Sequence, residues 1–179
     1  MPTRKINITI LGLIGIIVAV VWLLGPVAQA MAESMKYKFL GHVTKREAIS
    51  IDDVEGHLVG LTVIDGVVVF ENGEMAPFRG VVTSDIIKGK GSFDKYTTIT
   101  FGDGSRIVSR LRGTTGVTSA ETATSAVLTG ELIKGTGRFE GIKGIANSSL
   151  KILPPEKGEL GGKRVGECTI TYTFTLPSE

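Results

Sequence analysis

The most constraining feature of this sequence is a strict alternation of apolar and polar side chains near its C-terminus. Cys168, Ile170, Tyr172, Phe174 and Leu176 fall on one face of an extended chain, and the threonines between them fall on the other. A period of two residues is typical of a β-strand and is incompatible with a helix. A strand with one apolar face has to cover that face, so this part of the chain predicts a packed β-sheet.

The same pattern of strands and turns runs through the chain from Lys36 onward. Short runs rich in β-branched residues alternate with Gly, Asp and Asn, and no long helical periodicity occurs beyond the N-terminal segment. About eight closely spaced strands over residues 36–177 predict an all-β domain, a single antiparallel closed barrel, with a sandwich as the alternative. We predict ten strand-like runs, two of the shorter of which can merge or dissolve, at 36–42, 46–51, 57–64, 67–71, 76–87, 94–101, 105–112, 126–133, 143–152 and 165–176.

Turn signals separate several of these runs. Asp65-Gly66 divides LTVI from VVVF and predicts a two-residue hairpin loop, which needs residues that accept a positive φ. Asn72-Gly73 predicts a second turn or a bulge, and Asp103-Gly104 predicts another hairpin. The segments 114–125 and 153–163 are rich in turn formers and predict surface loops.

One short segment occurs twice. IIKGKGSF at 86–93 matches LIKGTGRF at 132–139, 46 residues further along the chain. In both copies a strand-like run ends in Lys-Gly-x-Gly, and two glycines permit a tight reversal. A phenylalanine, Phe93 or Phe139, follows and can fold back over the end of the barrel. The repetition indicates a supersecondary unit that is used twice.

The N-terminal segment is typical of an export signal. A basic start precedes an apolar run over 6–24, and a Gly-Pro break is followed by the small-x-small pattern Ala28-Gln29-Ala30. We predict a signal peptide over 1–30, cleaved after Ala30 or, as second choice, after Ala32, and a periplasmic or extracellular protein. The alternative is an uncleaved membrane anchor over 6–24, because that run is just long enough to cross a bilayer.

Composition excludes several functional classes. Removal of residues 1–30 takes away two of the 20 basic side chains and none of the 18 acidic ones, which leaves a formally neutral domain. A neutral domain without a clustered basic face is not expected to bind nucleic acid or a membrane surface. Cys168 is the only cysteine, so an internal disulfide is excluded and stability has to come from the core.

No group of residues has the spacing of an established catalytic or metal site. The glycines of 135–141 lack the helix that must follow a phosphate-binding loop. His42 and His57 flank the acidic stretch 52–55, which a solvated turn explains. Cys168 is expected to pack as a small apolar side chain. We therefore predict no metal and no cofactor.

Five residues are candidates for contacts with a small ligand: His57, Glu71, Tyr96, Arg110 and Tyr172. Arg110 shares one strand face with two further arginines. That face could bind a carboxylate inside the barrel, but we favour an outward orientation, because arginine is rarely buried without a partner.

Three blocks of sequence carry a family resemblance. They are GTGRFEGIKG at 135–144, FENGE at 70–74 and YTTITFGDGS at 96–105, and the match spans roughly 57–146. Together they resemble the allene oxide cyclase/dirigent-like barrel superfamily, including its uncharacterised exported bacterial members. The resemblance implies an eight-stranded antiparallel barrel that holds a small apolar molecule, and association into a homo-oligomer, a trimer in the plant members. No catalytic residue of the family can be assigned to a position in this chain.

Three functions remain open at this point. The first is an exported barrel that binds a small apolar molecule without a cofactor, since eight strands enclose room for one small ligand. The second is a cofactor-free isomerase or cyclase that shapes a reactive apolar substrate. The third is a structural or interaction barrel. An interior cavity would favour binding, a carboxylate paired with Arg or Tyr inside it would favour catalysis, and a solid core would favour the third function.

Overall fold

The computed structural model describes residues 32–116 and 124–174. The predicted signal peptide or anchor lies outside these ranges, as do the middle of the 114–125 loop and the end of the last predicted run. No helix among the described residues is long and apolar enough to cross a membrane. The described chain forms a short 3-10 helix, Gly137–Phe139, and eight strands: β1 (Glu33–Ser50), β2 (His57–Phe70), β3 (Met75–Ile87), β4 (Lys90–Thr100), β5 (Arg106–Gly116), β6 (Thr124–Thr136), β7 (Ile142–Ile152) and β8 (Arg164–Phe174).

The eight strands form one closed antiparallel barrel in sequence order. Each strand pairs with the next, and β1 closes the barrel by pairing with β8, from Glu33 opposite Tyr172 to Gly41 opposite Arg164. Closure removes the exposed strand edges that an open sheet would leave. The predicted all-β closed barrel is confirmed, and the sandwich is excluded.

The alternation of side chains decides which residues fill the interior. In β8, Cys168 and Ile170 are buried and Thr171 is exposed, as the period of two predicts. In β5, Ile107 and Leu111 are buried inside the barrel. The arginines of β5 therefore point outward, which is the orientation that we favoured.

The predicted hairpin at Asp65-Gly66 is wrong. Both residues lie within β2, which is paired with β1 and β3 at this point. The Asp65 carboxylate accepts a hydrogen bond from Nε of Arg79 on β3 (2.7 Å). A Cβ atom on Gly66 would lie 2.2 Å from the carbonyl oxygen of Leu40 and 2.7 Å from Cε1 of Phe78. This glycine therefore marks a close approach inside the sheet and not a turn.

The turns predicted at Asn72-Gly73 and Asp103-Gly104 are confirmed, whereas the loop predicted over 114–125 is wrong at both ends, because β5 continues to Gly116 and β6 begins at Thr124. Gly73 has φ 84° in the turn between β2 and β3, and Gly104 has φ 82° in the turn between β4 and β5. The first two predicted runs are one strand, β1, with a bulge between Val43 and Lys45 near the expected gap. The third and fourth runs are likewise one strand, β2, so the ten predicted runs become eight strands.

The two copies of the repeated segment have different structures. In the first, Lys88 and Gly89 have φ 49° and 81° and form a two-residue hairpin, and Phe93 lies partly buried within β4. In the second, Gly137 has φ 61° and begins the 3-10 helix, after which Phe139 folds into the core and is 8% exposed. The expected plug at the barrel end is therefore correct for Phe139 and wrong for Phe93, because Phe93 continues along β4 after its hairpin whereas Phe139 lies in a helical turn.

Candidate functional site

One end of the barrel, which we call the closed end, is filled by aromatic rings. Phe101 lies between Phe70 and Phe139, with ring centroids 5.4 and 4.7 Å away. Tyr37 continues the row, with its ring 5.2 Å from that of Phe70. All four side chains are at most 8% exposed. This end of the barrel therefore has a packed aromatic core.

The opposite end, which we call the open end, contains a cavity of about 450 Å³. Ligand pockets commonly have volumes of about 300–1,000 Å³. The cavity exists because the inward positions of the strands carry small side chains here, among them Ala48, Gly60, Thr62, Ser84, Thr115 and Ala126. The predicted loop 153–163 is confirmed, and its Leu153, Pro154 and Gly162 form part of the cavity wall.

A buried lysine, Lys95 of β4, borders the cavity and is 7% exposed. Its Nζ lies 5.3 Å from the ring centroid of Phe39 and 5.6 Å from that of Phe78, and both rings also border the cavity. Gly80 of β3 leaves room for the lysine stem, since a Cβ there would lie 3.1 Å from Lys95 Cε. The amino group is therefore held against two apolar rings beside the cavity.

Lys95 has neither a hydrogen bond nor an ion pair within residues 32–116 and 124–174. Burial lowers the pKa of Lys95 to about 8; the nearby Cys168 opposes this shift, and the nearby Arg164 adds to it. Loss of hydration on burial is the largest cause of this shift, because the charged form of an amine is disfavoured away from water. The amine is therefore charged at neutral pH but close to losing its proton.

The polar groups of the interior near Lys95 are neutral. Cys168 lies opposite Tyr37 in one neighbouring strand and opposite Ser148 in the other. Burial raises the pKa of the Cys168 thiol and raises the pKa of Tyr37 well above its ordinary value. Ser148 Oγ donates a hydrogen bond to the backbone oxygen of Glu167 (3.0 Å). These groups keep their protons at neutral pH and supply no anion to pair with the lysine.

Two arginines add positive charge to the same cavity. Arg164 begins β8, is partly buried and donates a hydrogen bond from Nη1 to the backbone oxygen of Gly162. Burial lowers the pKa of Arg164, and the nearby Arg46, which also borders the cavity, lowers it further. Among the described residues around the cavity the only acid is Glu47, whose carboxylate pairs with Lys45 at 2.9 Å. The cavity therefore has apolar walls and an excess of positive charge.

The five residues proposed from the sequence lie elsewhere: none of them borders the cavity. Tyr96 and Arg110 are on the outer surface, where the guanidinium carbon lies 5.5 Å from the ring centroid. Glu71 is exposed in the turn after β2, and Tyr172 lies towards the closed end, partly buried. The structure thus brings only Tyr96 and Arg110 together, on the outside of the barrel.

The fifth candidate, His57, lies at the rim of the open end. Its Nδ1 is 2.6 Å from Oδ1 of Asp53, and its Nε2 is 2.9 Å from Oδ1 of Asp85. The hydrogen bond with Asp53 raises the pKa of His57 most, and Asp85 raises it further, against a smaller opposing effect of burial. His57 therefore links the turn after β1 to the end of β3. In the part of the chain that the structure describes, no three His, Cys, Asp or Glu side chains form a group that could hold a metal ion.

The sequence analysis missed both Lys95 and Arg164, although the alternation could have revealed them. Lys95 is in phase with Thr97 and Ile99 of β4, which are buried in the core. Arg164 is likewise in phase with Cys168 of β8. A charged residue in the apolar phase of a strand is unusual, because charged side chains are seldom buried without a partner. That exception to the pattern is the signal.

Among known proteins, this chain is similar to some whose structures have been solved. No protein-family model matches the sequence, and no curated protein matches it. Among solved structures, the pterocarpan synthase dirigent protein GePTS1 is similar at 16% identity and a TM-score of 0.48, over 81% of this chain and 92% of that one. The pterocarpan synthase dirigent protein PsPTS1 is similar at 17% identity and a TM-score of 0.47, over 82% of this chain and 97% of that one. Independently of these similarities, the described strands form the closed eight-stranded barrel that the sequence predicted.

Proposed function

We propose that this protein binds a small amphipathic acid in the cavity at the open end of its barrel. The apolar body of the ligand would lie against the walls around Phe39 and Phe78, and its acidic group would face Lys95 and Arg164. The observation that carries the proposal is the position of Lys95: a buried ammonium that borders the cavity, with no acidic partner among the described residues.

Burial of the Lys95 ammonium has a cost in folding free energy that a ligand could offset. An ammonium that loses water without gaining a partner destabilises the folded protein by several kcal/mol. A ligand carboxylate would offset that cost, and a hydrogen bond to a charged group contributes about 1.5–3 kcal/mol. An arginine side chain stays protonated at accessible pH values. The guanidinium of Arg164 would therefore hold the anion even when the lysine is neutral.

The size and polarity of the cavity favour one small molecule over a macromolecular partner. The volume of about 450 Å³ accommodates a ligand with a medium-length alkyl chain or one or two rings. A barrel with a purely structural role would not require a cavity beside a charged side chain. Catalysis by isomerisation or cyclisation, export and trimer formation stay predictions from the sequence.

The test compares three ligands that share a ten-carbon chain and differ in head group: decanoate, decanol and decylammonium. Isothermal titration calorimetry at neutral pH should rank them with decanoate tightest and decylammonium weakest. K95M, which removes the lysine, should lower the affinity for decanoate at least about tenfold, which corresponds to about 1.4 kcal/mol of binding free energy. The decanol affinity should change little, because decanol relies on the apolar walls.

The matched control is K36M, which removes an exposed lysine from the outer face of β1. It should leave the affinity for all three ligands unchanged. Equal affinity of the wild-type protein for decanoate and decylammonium would refute the proposal. So would a K95M variant that binds decanoate as tightly as the wild-type protein does.

A further inference from the structure

We infer that Lys95 is a nucleophile that forms a Schiff base with an aldehyde or ketone group on an apolar molecule in this cavity. The inference rests on the proposed function, since it uses the same cavity, and it adds a covalent step and a second substrate class. It starts from the position of Lys95 Nζ, which borders the cavity and is held 5.3 and 5.6 Å from the ring centroids of Phe39 and Phe78.

The surroundings of Lys95 leave its amine available. No carboxylate in the described part of the chain forms an ion pair with it, so the nitrogen is not fixed as an ammonium by an acidic partner. The groups that act on it are Arg164, whose charge disfavours the ammonium, and Cys168. Burial lowers the pKa of Lys95 to about 8. A substantial fraction of the amine is therefore neutral at mildly alkaline pH, as a nucleophilic lysine requires.

Cys168 is a poor competitor for the same carbonyl group. Its thiol is buried, and burial raises its pKa, so the reactive thiolate is scarce. Tyr37, opposite Cys168 in the sheet, also has a raised pKa and keeps its proton. Lys95 is therefore the interior side chain best suited to attack a carbonyl carbon.

The covalent step balances without a further reactant. The lone pair of Nζ adds to the carbonyl carbon, and one proton moves from this nitrogen to the carbonyl oxygen to give a carbinolamine. The oxygen takes up the second proton of the nitrogen and leaves as one molecule of water, and an imine remains between the lysine and the former carbonyl carbon. Exclusion of bulk water by the apolar walls around Phe39 and Phe78 would slow hydrolysis of the imine.

The test traps the imine with decanal. The full protein is incubated with decanal and sodium cyanoborohydride, which reduces an imine to a stable secondary amine, and the labelled lysines are located by peptide mass spectrometry. We expect one decyl group per chain, on Lys95, with a labelling rate at least about tenfold above that of Lys90, which is exposed at the start of the same strand. The rate at Lys95 should rise as the pH increases through about 8, and the rate at an ordinary lysine should rise near 10.5.

The wild-type protein in both assays, together with two variants, separates this inference from the proposed function. K95R has no nucleophilic amine, so it should lose the selective label. K90R should behave as the wild-type protein in both assays. Tight decanoate binding together with no preference of decanal for Lys95 would overturn the Schiff base and leave the binding proposal standing. Failure of decanoate to bind, with selective labelling of Lys95 intact, would overturn the acid-binding proposal alone.

Discussion

The two ends of this barrel are built on the same alternation and differ in the size of the side chains that point inward. At the closed end, Phe70, Phe101 and Phe139 fill the interior with stacked and tilted rings. At the open end, small residues face the interior and leave a cavity of about 450 Å³ beside Lys95. The barrel therefore places its densest aromatic packing in one half and its cavity in the other.

The largest expected effect comes from removing the central ring of the closed end. F101A should destabilise the protein by about 3–5 kcal/mol, because Phe101 is 3% exposed and its loss leaves a cavity between two other rings. F93A at the open end should cost roughly half as much or less, since Phe93 is only partly buried and already borders the cavity. Unfolding in guanidinium chloride measures both. Equal decreases in the free energy of unfolding for the two variants would mean that the two ends are equally well packed, and would contradict the difference described above.

The second prediction concerns the charge at the open end. K95M should be more stable than the wild-type protein at pH 7, by up to about 3 kcal/mol, because it removes a buried ammonium whose pKa falls from 10.5 to about 8 on folding. Between pH 8 and 10.5 the unfolded lysine keeps its proton and the folded one does not, so wild-type stability should rise there and the gap should narrow. Urea unfolding at several pH values measures the gap.

K90M is the control for this charge effect, because Lys90 is exposed. It should show no comparable gain in stability at pH 7. A K95M variant less stable than the wild-type protein at pH 7 would show that Lys95 stabilises the folded protein. The charge at the open end would then not be a cost to stability.

The third prediction tests the boundary between the two halves. Gly66 lies against the ring of Phe78, which borders the cavity. G66A should destabilise the protein by about 1–3 kcal/mol, because its Cβ overlaps the backbone of β1 and the ring, and it should also weaken decanoate binding by displacing Phe78. G102A is the control, since a Cβ at Gly102 meets nothing within 4 Å. Thermal unfolding and calorimetry measure the two effects, and a G66A variant as stable as G102A would contradict the close approach.

The smallest effect is expected at the rim of the open end. The pKa of His57 is raised, chiefly by its hydrogen bond with Asp53, so its contribution to stability is present below its ordinary pKa of 6.5 and is lost as the pH rises through the raised value. The difference in unfolding midpoint between the wild-type protein and H57Q should thus be larger at about pH 5.5 than at about pH 8.5. D85N, which removes one partner, should reduce that difference, and a difference independent of pH would disprove the ion pairing.

Much of the barrel could be predicted from the chain, because strand alternation and turn chemistry are local properties. The face of β8 that carries Cys168 and the turns at Gly73 and Gly104 were predicted on that basis. The hairpin at Asp65-Gly66 was predicted by the same reasoning and is wrong, because a glycine that accepts a positive φ and a glycine that makes room for Phe78 look identical in sequence.

The candidate site could not be predicted in the same way. His57, Glu71, Tyr96, Arg110 and Tyr172 were chosen for their chemistry, and none of them borders the cavity. A cavity results from the sizes of side chains on many strands at one height in the barrel, and that height depends on the register between strands. The register between strands cannot be read from the sequence, so the cavity could not be placed, although the phase of Lys95 in β4 shows that this side chain faces inward.

By itself, the sequence determined that this chain alternates between inside and outside along about eight strands, because a half-buried strand requires that period. It also determined, through Gly137 and Phe139, that one turn can fold back over the barrel. Only the tertiary structure decided that aromatic rings meet at one end and small residues at the other, with Lys95 between them. The physical reason is that closure of the barrel brings together side chains that are distant in sequence. The register between strands sets which of these side chains lie at the same height along the barrel axis.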